Sequence, residues 1–152
     1  VEPEVLWRLG HAARVTIGED TRVRMHNEIK CDGRLTIGAR VHLGPWTTIS
    51  VLDEVILGDD CLIAERVSIR DHDHAIADPT RPFHAQGYVT RPVTLGRNVW
   101  LGGGVTIVKG VSLGDNCVVG ANAVVTRSFP ANSVIAGVPA RLIRTLAPAE
   151  AS

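Results

Sequence analysis

An aliphatic residue recurs every six positions along most of this chain. The recurring positions all carry Ile, Leu or Val, although these three types form a minority of the sequence: Ile17, Val23, Ile29, Ile37, Leu43, Ile49, Leu57, Ile63, Ile69, Leu95, Leu101, Ile107, Leu113, Val119 and Val125. A period of six does not keep to one stripe of a helix with 3.6 residues per turn. The repeat therefore predicts short stacked strands rather than packed helices.

The residues around each aliphatic position predict a strand followed by a sharp corner. The residue two places earlier is usually small or branched and shares the same strand face. Gly often follows the aliphatic residue, and a type that tolerates positive φ is common three places after it: Asp20, Asp32, Asp60, Asn98, Gly104, Gly110, Asn116 and Asn122. Three such units would close one triangular coil.

The spacing between coils shows where the six-residue repeat is interrupted. The first three coils repeat at 20 residues (Ile17, Ile37, Leu57) and the last two at 18 (Leu95, Leu113). The gap of 26 between Ile69 and Leu95 predicts a protruding loop over about 75–92. We expect an all-β parallel β-helix of about five triangular coils at 15–139, on the order of 25 Å tall. A short N-terminal segment (1–14) precedes it, and a short C-terminal helix and tail (140–152) follow.

Charge and cysteine content narrow the partners and the compartment. Sixteen Lys and Arg balance sixteen Asp and Glu, so no net field favours nucleic acid, and no apolar run is long enough for membrane insertion. Cys31, Cys61 and Cys117 are odd in number and form no CxxC pair, which together with the lack of a signal-peptide pattern indicates a reducing, cytoplasmic setting. Cys61 and Cys117 occupy inward slots and are expected to be structural thiols.

The repeat resembles the hexapeptide-repeat acyltransferases, and its last third resembles the galactoside/maltose O-acetyltransferase branch. The similarity lies in PVTLGRNVWLG (92–102), GDNCVVGA (114–121) and VIAGVPARLIR (134–144). This resemblance implies a left-handed β-helix, an exception to the usual right-handed crossover. It also implies an acetyl-CoA-dependent acetyltransferase without a metal, assembled as a homotrimer with active sites between subunits. In such trimers the protruding loop reaches a neighbouring subunit.

Acetyl transfer to a hydroxyl requires a base, and histidine suits this task near neutral pH. Two histidines follow the third coil, in the run from Arg70 to His74. The resemblance places the base at His74, whereas His72 falls on a corner slot and remains the other candidate. Asp71 and Asp73 could orient an imidazole or could be solvated turn acids. No Cys or Ser is placed as an activated nucleophile, so direct attack on the thioester is expected. The glycine run from Gly102 to Gly104 could supply an oxyanion N–H.

The resemblance also implies a CoA groove. Trp100, Gly103 and Ala121 would line the pantetheine arm, and four further residues would surround the nucleotide and its phosphates: Thr126, Arg127, Arg141 and Arg144. Arginine suits phosphate because its planar fork donates two hydrogen bonds at once. Alternatives remain for Trp100, as packing between coils, and for Arg141 and Arg144, as the basic face of a terminal helix.

The acceptor is the weakest part of the resemblance. The galactoside branch carries an asparagine in the second coil, where this chain reads LGPWT (43–47). Trp46 could stack on a sugar or occupy a corner. A saccharide hydroxyl is the expected acceptor, and an amine remains an alternative. A γ-class carbonic anhydrase would need a His-x4-His pair that this chain lacks, and a non-catalytic scaffold would need neither the paired histidines nor the C-terminal arginines.

Overall fold

The computed structural model describes residues 1–148, which form twenty short strands and one 3-10 turn, Phe83–Ala85. The strands of the first half are β1 (Leu6–Leu9), β2 (Arg14–Ile17), β3 (Arg22–Val23), β4 (Glu28–Cys31), β5 (Arg34–Ile37), β6 (His42–Leu43), β7 (Thr48–Val51), β8 (Glu54–Leu57), β9 (Leu62–Ile63) and β10 (Ser68–Arg70). Those of the second half are β11 (His72–His74), β12 (Tyr88–Thr90), β13 (Val93–Leu95), β14 (Trp100–Leu101), β15 (Thr106–Ile107), β16 (Ser112–Leu113), β17 (Val118–Val119), β18 (Val124–Val125), β19 (Ser133–Gly137) and β20 (Ala140–Thr145).

Successive strands rotate through three sheets, so the chain winds as a three-sided prism. Sheet A has the order β1-β4-β7-β10-β15-β18, sheet B has β2-β5-β8-β13-β16, and sheet C has β3-β6-β9-β14-β17-β19-β20. All pairings within the coils are parallel, apart from the antiparallel β19–β20 pair at the end. The expected parallel β-helix is confirmed. Sheet A contains one strand more than the five predicted coils require, because β1 in the N-terminal segment pairs with β4.

The predicted aliphatic positions form the core, except for Ile17 in the first coil, which is 36% exposed. Ile29, Ile49, Ile69, Ile107 and Val125 lie in register on neighbouring strands of sheet A, and each is fully buried. The other two sheets contribute equivalent columns of Leu, Ile and Val. Stacking like residues at each level fills the narrow interior with side chains of similar volume, which explains the scarcity of aromatic residues.

The corners follow the predicted turn chemistry at most positions. Asp20, Asp60, Asn98, Asn116 and Asn122 adopt positive φ, as do Gly104 and Gly110, whereas Asp32 does not. His26 also adopts positive φ, and three further corner residues do so although their types do not favour it: Arg40, Trp46 and Arg66. The stacked coils impose this conformation at a fixed place in each turn.

The prediction of a C-terminal helix is wrong for residues 140–145. Gly137, with φ of 100°, and the following turn reverse the chain, and β20 then pairs antiparallel with β19. Without β20, the backbone N–H and C=O groups on the open edge of β19 would be unpaired, and pairing satisfies them. Residues 149–152 of the predicted tail lie outside the described residues. Within 1–148 no helix is long and apolar enough to cross a bilayer.

Candidate active site

The two candidate histidines lie on a hairpin that leaves the prism between sheets A and B. β11 follows β10 directly and pairs antiparallel with β12, so that His72 lies opposite Thr90 and His74 opposite Tyr88. The first two coils make the same corner with only two extra residues each. The hairpin therefore extends an existing corner, and it carries both imidazoles out from the end of a rigid strand.

Asp71 is the buried anchor of this corner. Its carboxylate is fully buried and accepts hydrogen bonds from the backbone N–H groups of Leu52 (3.0 Å) and Asp53 (2.7 Å) in the preceding coil. Its Oδ1 also lies 2.8 Å from Nδ1 of His72. The interpretation of Asp71 as a possible solvated turn acid is therefore wrong. With Nδ1–H donating to Asp71, the lone pair of His72 is left on Nε2.

His74 is placed differently from His72. The side chain of His72 is only 15% exposed and meets the Tyr88 ring edge-on at 5.4 Å between centroids. His74 is exposed, and its ring tilts over Tyr88 at 4.6 Å. Among the described residues, no hydrogen bond occupies either ring nitrogen of His74. The ring of His74 is thus accessible to a substrate, whereas the ring of His72 is fixed by its contacts with Asp71 and Tyr88.

Asp73 lies between the two histidines on β11 and has its own partner. Its carboxylate forms an ion pair with the ammonium of Lys109, which follows β15. The backbone supports the same attachment, since the N–H of Arg91 donates to the carbonyl of Asp71 and that of Gly110 donates to the carbonyl of Arg91. These contacts attach the base of the hairpin to the coil that follows it, which contains β15.

A pocket of about 310 Å³ lies beside the histidines on the outer surface of sheet A. Its lining is polar and includes the histidines together with residues from three adjacent strands: Lys30, Ser50, Arg70, His72, Asp73, His74 and Tyr88. Lys30, Ser50 and Arg70 are in register on β4, β7 and β10. This row was not predicted from the sequence, although its members are spaced 20 residues apart there.

Three of the candidate CoA residues lie on sheet C. Trp100 on β14 is in register with Val118, then Val134, then Arg144 on β20. Trp100 is 50% exposed, so its ring is not buried between coils. Arg141 and Arg144 are both exposed on the terminal strand, rather than on a helix. The outer surface of sheet C therefore presents an aromatic ring with two guanidinium groups at one end.

Gly103 and Ala121 lie at the corner between sheets C and A. The N–H of Asn122 donates to the carbonyl of Gly103, which joins the two successive turns. A Cβ at position 103 would lie 2.7 Å from the Glu65 carboxylate, so a larger residue there would require Glu65 to move. Ala121 is exposed. The space beside Gly103 is therefore occupied by the Glu65 side chain, whereas Ala121 is accessible.

Thr126 and Arg127 follow β18 on sheet A, and both are exposed. The Arg127 guanidinium lies 4.9 Å from the centroid of the Phe129 ring. One chain therefore does not gather all seven candidate CoA residues into one groove. Thr126 and Arg127 share sheet A with the base of the histidine hairpin, and Trp100, Arg141 and Arg144 lie on sheet C.

Comparison with known proteins identifies the family. Residues 92–127 match the family model described as the hexapeptide repeat of succinyl-transferase. The putative colanic acid biosynthesis acetyltransferase WcaF of Escherichia coli is 31% identical over 148 residues, covering 93% of this chain and 78% of WcaF. The chain belongs to the hexapeptide-repeat acetyltransferase family. The galactoside O-acetyltransferase of E. coli is 37% identical over 115 residues, which are 72% of this chain and 56% of that enzyme.

Solved structures agree with this hexapeptide-repeat assignment. The polySia-specific acetyltransferase NeuO superposes with a TM-score of 0.79 at 28% identity, covering 97% of this chain and 64% of NeuO. This hexapeptide-repeat chain spans 42% to 61% of the length of several curated relatives, among them a probable acetyltransferase of Mycobacterium tuberculosis.

The three cysteines of this hexapeptide-repeat chain are buried in the prism. Burial raises the pKa of the Cys61 thiol to about 11, and it also raises the pKa values of Cys31 and Cys117. Such thiols are poor nucleophiles near neutral pH. Their positions agree with the prediction of structural thiols.

Trp46, for which the sequence left sugar stacking and a corner position open, lies outside the histidine pocket. Trp46 is a corner residue with φ of 64°, and its exposed ring stacks on His26 at 4.2 Å between centroids. The indole thus has a partner within the chain. Within residues 1–148, no three His, Cys, Asp or Glu side chains converge as a metal-ligand group.

Proposed function

We propose that this chain transfers an acetyl group from acetyl-CoA to a hydroxyl of a saccharide, with His74 as the general base. Family membership supports the reaction type, and the names of WcaF and of the galactoside enzyme support a sugar acceptor. The observation that carries the proposal is the position of His74, which is exposed at the mouth of a polar pocket with both ring nitrogens available among the described residues.

The chemistry follows from this position. Acetyl-CoA would supply the acetyl group as a thioester, and CoA would depart as the free thiol. His74 would accept the proton of the acceptor hydroxyl as its oxygen attacks the thioester carbonyl, and would return that proton to the departing sulfur. A backbone N–H near Gly103 would stabilise the negative charge on the carbonyl oxygen. The buried cysteines take no part.

A specific observation favours His72 as the second candidate base. The buried Asp71 carboxylate holds its Nδ1 at 2.8 Å, an arrangement that fixes a tautomer with a basic Nε2. In the proposal this pair instead positions the hairpin that carries His74. If His74 is the base, replacing His74 should abolish turnover; if His72 is the base, replacing His72 should do so.

The test compares His74→Asn, His72→Asn and, as a control with the same change at an exposed histidine outside the pocket lining, His11→Asn. Release of thiol from acetyl-CoA is followed with a panel of neutral, acidic and amino-sugar acceptors. We expect His74→Asn to lower kcat by about 10²–10⁴-fold, the usual contribution of a general base, while the Kd for CoA changes little. Retained turnover in His74→Asn, with a large loss in His72→Asn, would transfer the assignment to His72. Preferred acetylation of the amino group of an amino sugar would make the chain an N-acetyltransferase.

We also propose that a homotrimer completes the site, since the candidate CoA residues divide between two faces of one prism. A complementation experiment tests this directly. His74→Asn and an Arg141→Gln/Arg144→Gln double variant are co-expressed with different tags, and mixed trimers are isolated. If a site combines sheet A of one copy with sheet C of another, mixed trimers contain some intact sites and regain activity. Mixed trimers as inactive as the parents would show that each site belongs to one chain, and a mass of 16.3 kDa in solution would exclude the trimer.

A further inference from the structure

The pocket beside His74 contains a row of three aligned side chains. Lys30, Ser50 and Arg70 are in register on adjacent strands of sheet A, and Ser50 is the middle residue. Adjacent strands are about 4.8 Å apart, so the backbones of Lys30 and Arg70 are separated by roughly 10 Å. Each residue directly follows a buried isoleucine of the repeat and therefore points outward. The row leads to the hairpin at the Arg70 end.

The pocket has an excess of positive charge. The Arg70 guanidinium donates to Ser68 Oγ at 2.9 Å, and no carboxylate within residues 1–148 lies within salt-bridge distance of it. Lys30 lies 3.3 Å from a Glu28 oxygen that also accepts a hydrogen bond from Arg8. Asp73, the acidic residue of the pocket lining, is paired with Lys109.

The residue types also distinguish this row from the equivalent positions on sheet B. On sheet B the residue after each aliphatic of the repeat is glycine, at positions 18, 38, 58, 96 and 114. In sheet A the three coils below the hairpin instead carry a lysine, a serine and an arginine. Coil packing does not require long cations here, because these side chains are exposed.

We propose that the acceptor is an acidic saccharide whose carboxylate or phosphate group binds Arg70 and Lys30 while its reactive hydroxyl lies at His74; this inference rests on the proposed function. Arg70 offers a planar pair of N–H donors suited to either anion. The Ser50 hydroxyl, between the two cations, can donate a further hydrogen bond. A pocket of about 310 Å³ has room for one sugar ring with one charged substituent.

The acceptor series isolates the charge. Methyl glucuronide and its neutral amide, methyl glucuronamide, carry the same hydroxyls and differ in the charge at C6, and a glucose phosphate tests whether phosphate can replace the carboxylate. We expect the wild-type protein to favour the anionic sugars by about 10-fold or more in kcat/KM, and Arg70→Gln to remove most of that preference. The KM for acetyl-CoA should not change. The preference should weaken as ionic strength rises, because exposed charges are screened.

Arg34→Gln is the matched control. Arg34 is an exposed arginine on sheet B, paired with Glu54 at 3.3 Å and remote from the pocket lining. Its removal changes net charge as Arg70→Gln does, but it should leave the acceptor preference intact. Equal losses in both variants would mean that the effect is one of overall charge, which overturns the proposal. A rise in the KM for acetyl-CoA in Arg70→Gln, with no change for the acceptors, would also overturn it by assigning the row to CoA.

Binding measured without turnover separates this inference from the proposed function. Saturation-transfer NMR with methyl glucuronide and free CoA should show binding to His74→Asn and to the wild type, and weaker binding to Arg70→Gln. If no acceptor is acetylated but this pattern appears, the proposed reaction fails and the anion site stands. If neutral sugars are acetylated as well as acidic ones, the reaction stands and the anion site is refuted.

Discussion

Nδ1 of His72 lies 2.8 Å from Oδ1 of Asp71, so two consecutive residues bond through their side chains while the carboxylate also accepts the backbone N–H groups of Leu52 and Asp53. The fully buried carboxylate thus connects the histidine hairpin to the coil before it. A change at Asp71 should affect both the corner and the imidazole.

Asp71→Asn should lower stability because an amide has one acceptor oxygen where the carboxylate has two. At least one buried donor would then lose its partner, at a cost of about 1–3 kcal/mol. For a chain of this size that corresponds to a fall in Tm of roughly 2–4 °C per kcal/mol, measured by thermal unfolding. Asp73→Asn is the control, because its carboxylate is 46% exposed and surface ion pairs contribute about 0–1 kcal/mol. Equal Tm values for Asp71→Asn and the wild type would contradict a structural role for this carboxylate.

The cysteines should resist thiol reagents in the folded protein. With a pKa of about 11, Cys61 has only about a thousandth of its population as thiolate at pH 8, and all three sulfurs are buried. We expect negligible labelling by a disulfide reagent in buffer, and labelling of all three thiols after denaturation. Mass spectrometry provides the count. Rapid labelling of native Cys61 would show that this part of the prism opens readily.

The sequence predicted the strands well because each inward slot must be filled by a residue of nearly constant size, and that requirement recurs visibly. It predicted fewer features of the site. The burial of Asp71 depends on contacts with Leu52 and Asp53, nearly 20 residues away, which no local pattern records. The row of Lys30, Ser50 and Arg70 becomes apparent only when the coils are aligned on one another.

Corner conformations were predictable only in part for a related reason. At Asn98 and Asn116 the residue type itself tolerates positive φ, and the sequence shows this. Trp46 and Arg66 adopt the same conformation although their types do not favour it, and the backbone N–H of Arg66 donates to the carbonyl of Pro45 in the preceding turn. The terminal strand β20 was missed since its pairing is decided by the open edge of β19, not by its own helical or strand propensity.

Asn27→Thr should stabilise the protein. Asn27 is buried, and its Oδ1 accepts the N–H of Thr47 at 2.7 Å, but its Nδ2 has no partner within the described residues. Thr21 shows a better solution at another corner, where its hydroxyl accepts from Val41 N–H and donates to the Gly38 carbonyl. Threonine at position 27 could bond in the same way without the orphan donor, which costs about 1–3 kcal/mol when buried.

The measurement for position 27 is again thermal unfolding, with Asn27→Val as the comparison. Valine removes the orphan donor but leaves the N–H of Thr47 without an acceptor, so its Tm should fall below that of the threonine variant. A threonine variant less stable than the wild type would indicate that Asn27 has a hydrogen-bond partner in solution, such as water.

Asn116 lies in the middle of a ladder of asparagine side chains at the corner between sheets B and C. Its Oδ1 accepts from Asn98 Nδ2 at 2.9 Å, its Nδ2 donates to Asn132 Oδ1 at 3.0 Å, and its φ is 61°. Replacement by either Gly or Ala removes both hydrogen bonds. Alanine also places a Cβ in the left-handed region, at a cost of about 1–2 kcal/mol. We therefore expect Asn116→Ala to be less stable than Asn116→Gly, by roughly 2–4 °C in Tm for each kcal/mol.

Ser112 provides the reversed control for this ranking. It is exposed on strand β16 and has ordinary strand geometry, so Ser112→Gly should be the less stable variant there, by about 0.5–1 kcal/mol, because glycine loses more freedom on folding. The order of Ala and Gly should thus invert between positions 112 and 116. If alanine were the better residue at both positions, the corner at Asn116 would not hold its left-handed conformation in solution, and the ladder would owe its stability to the side-chain hydrogen bonds alone.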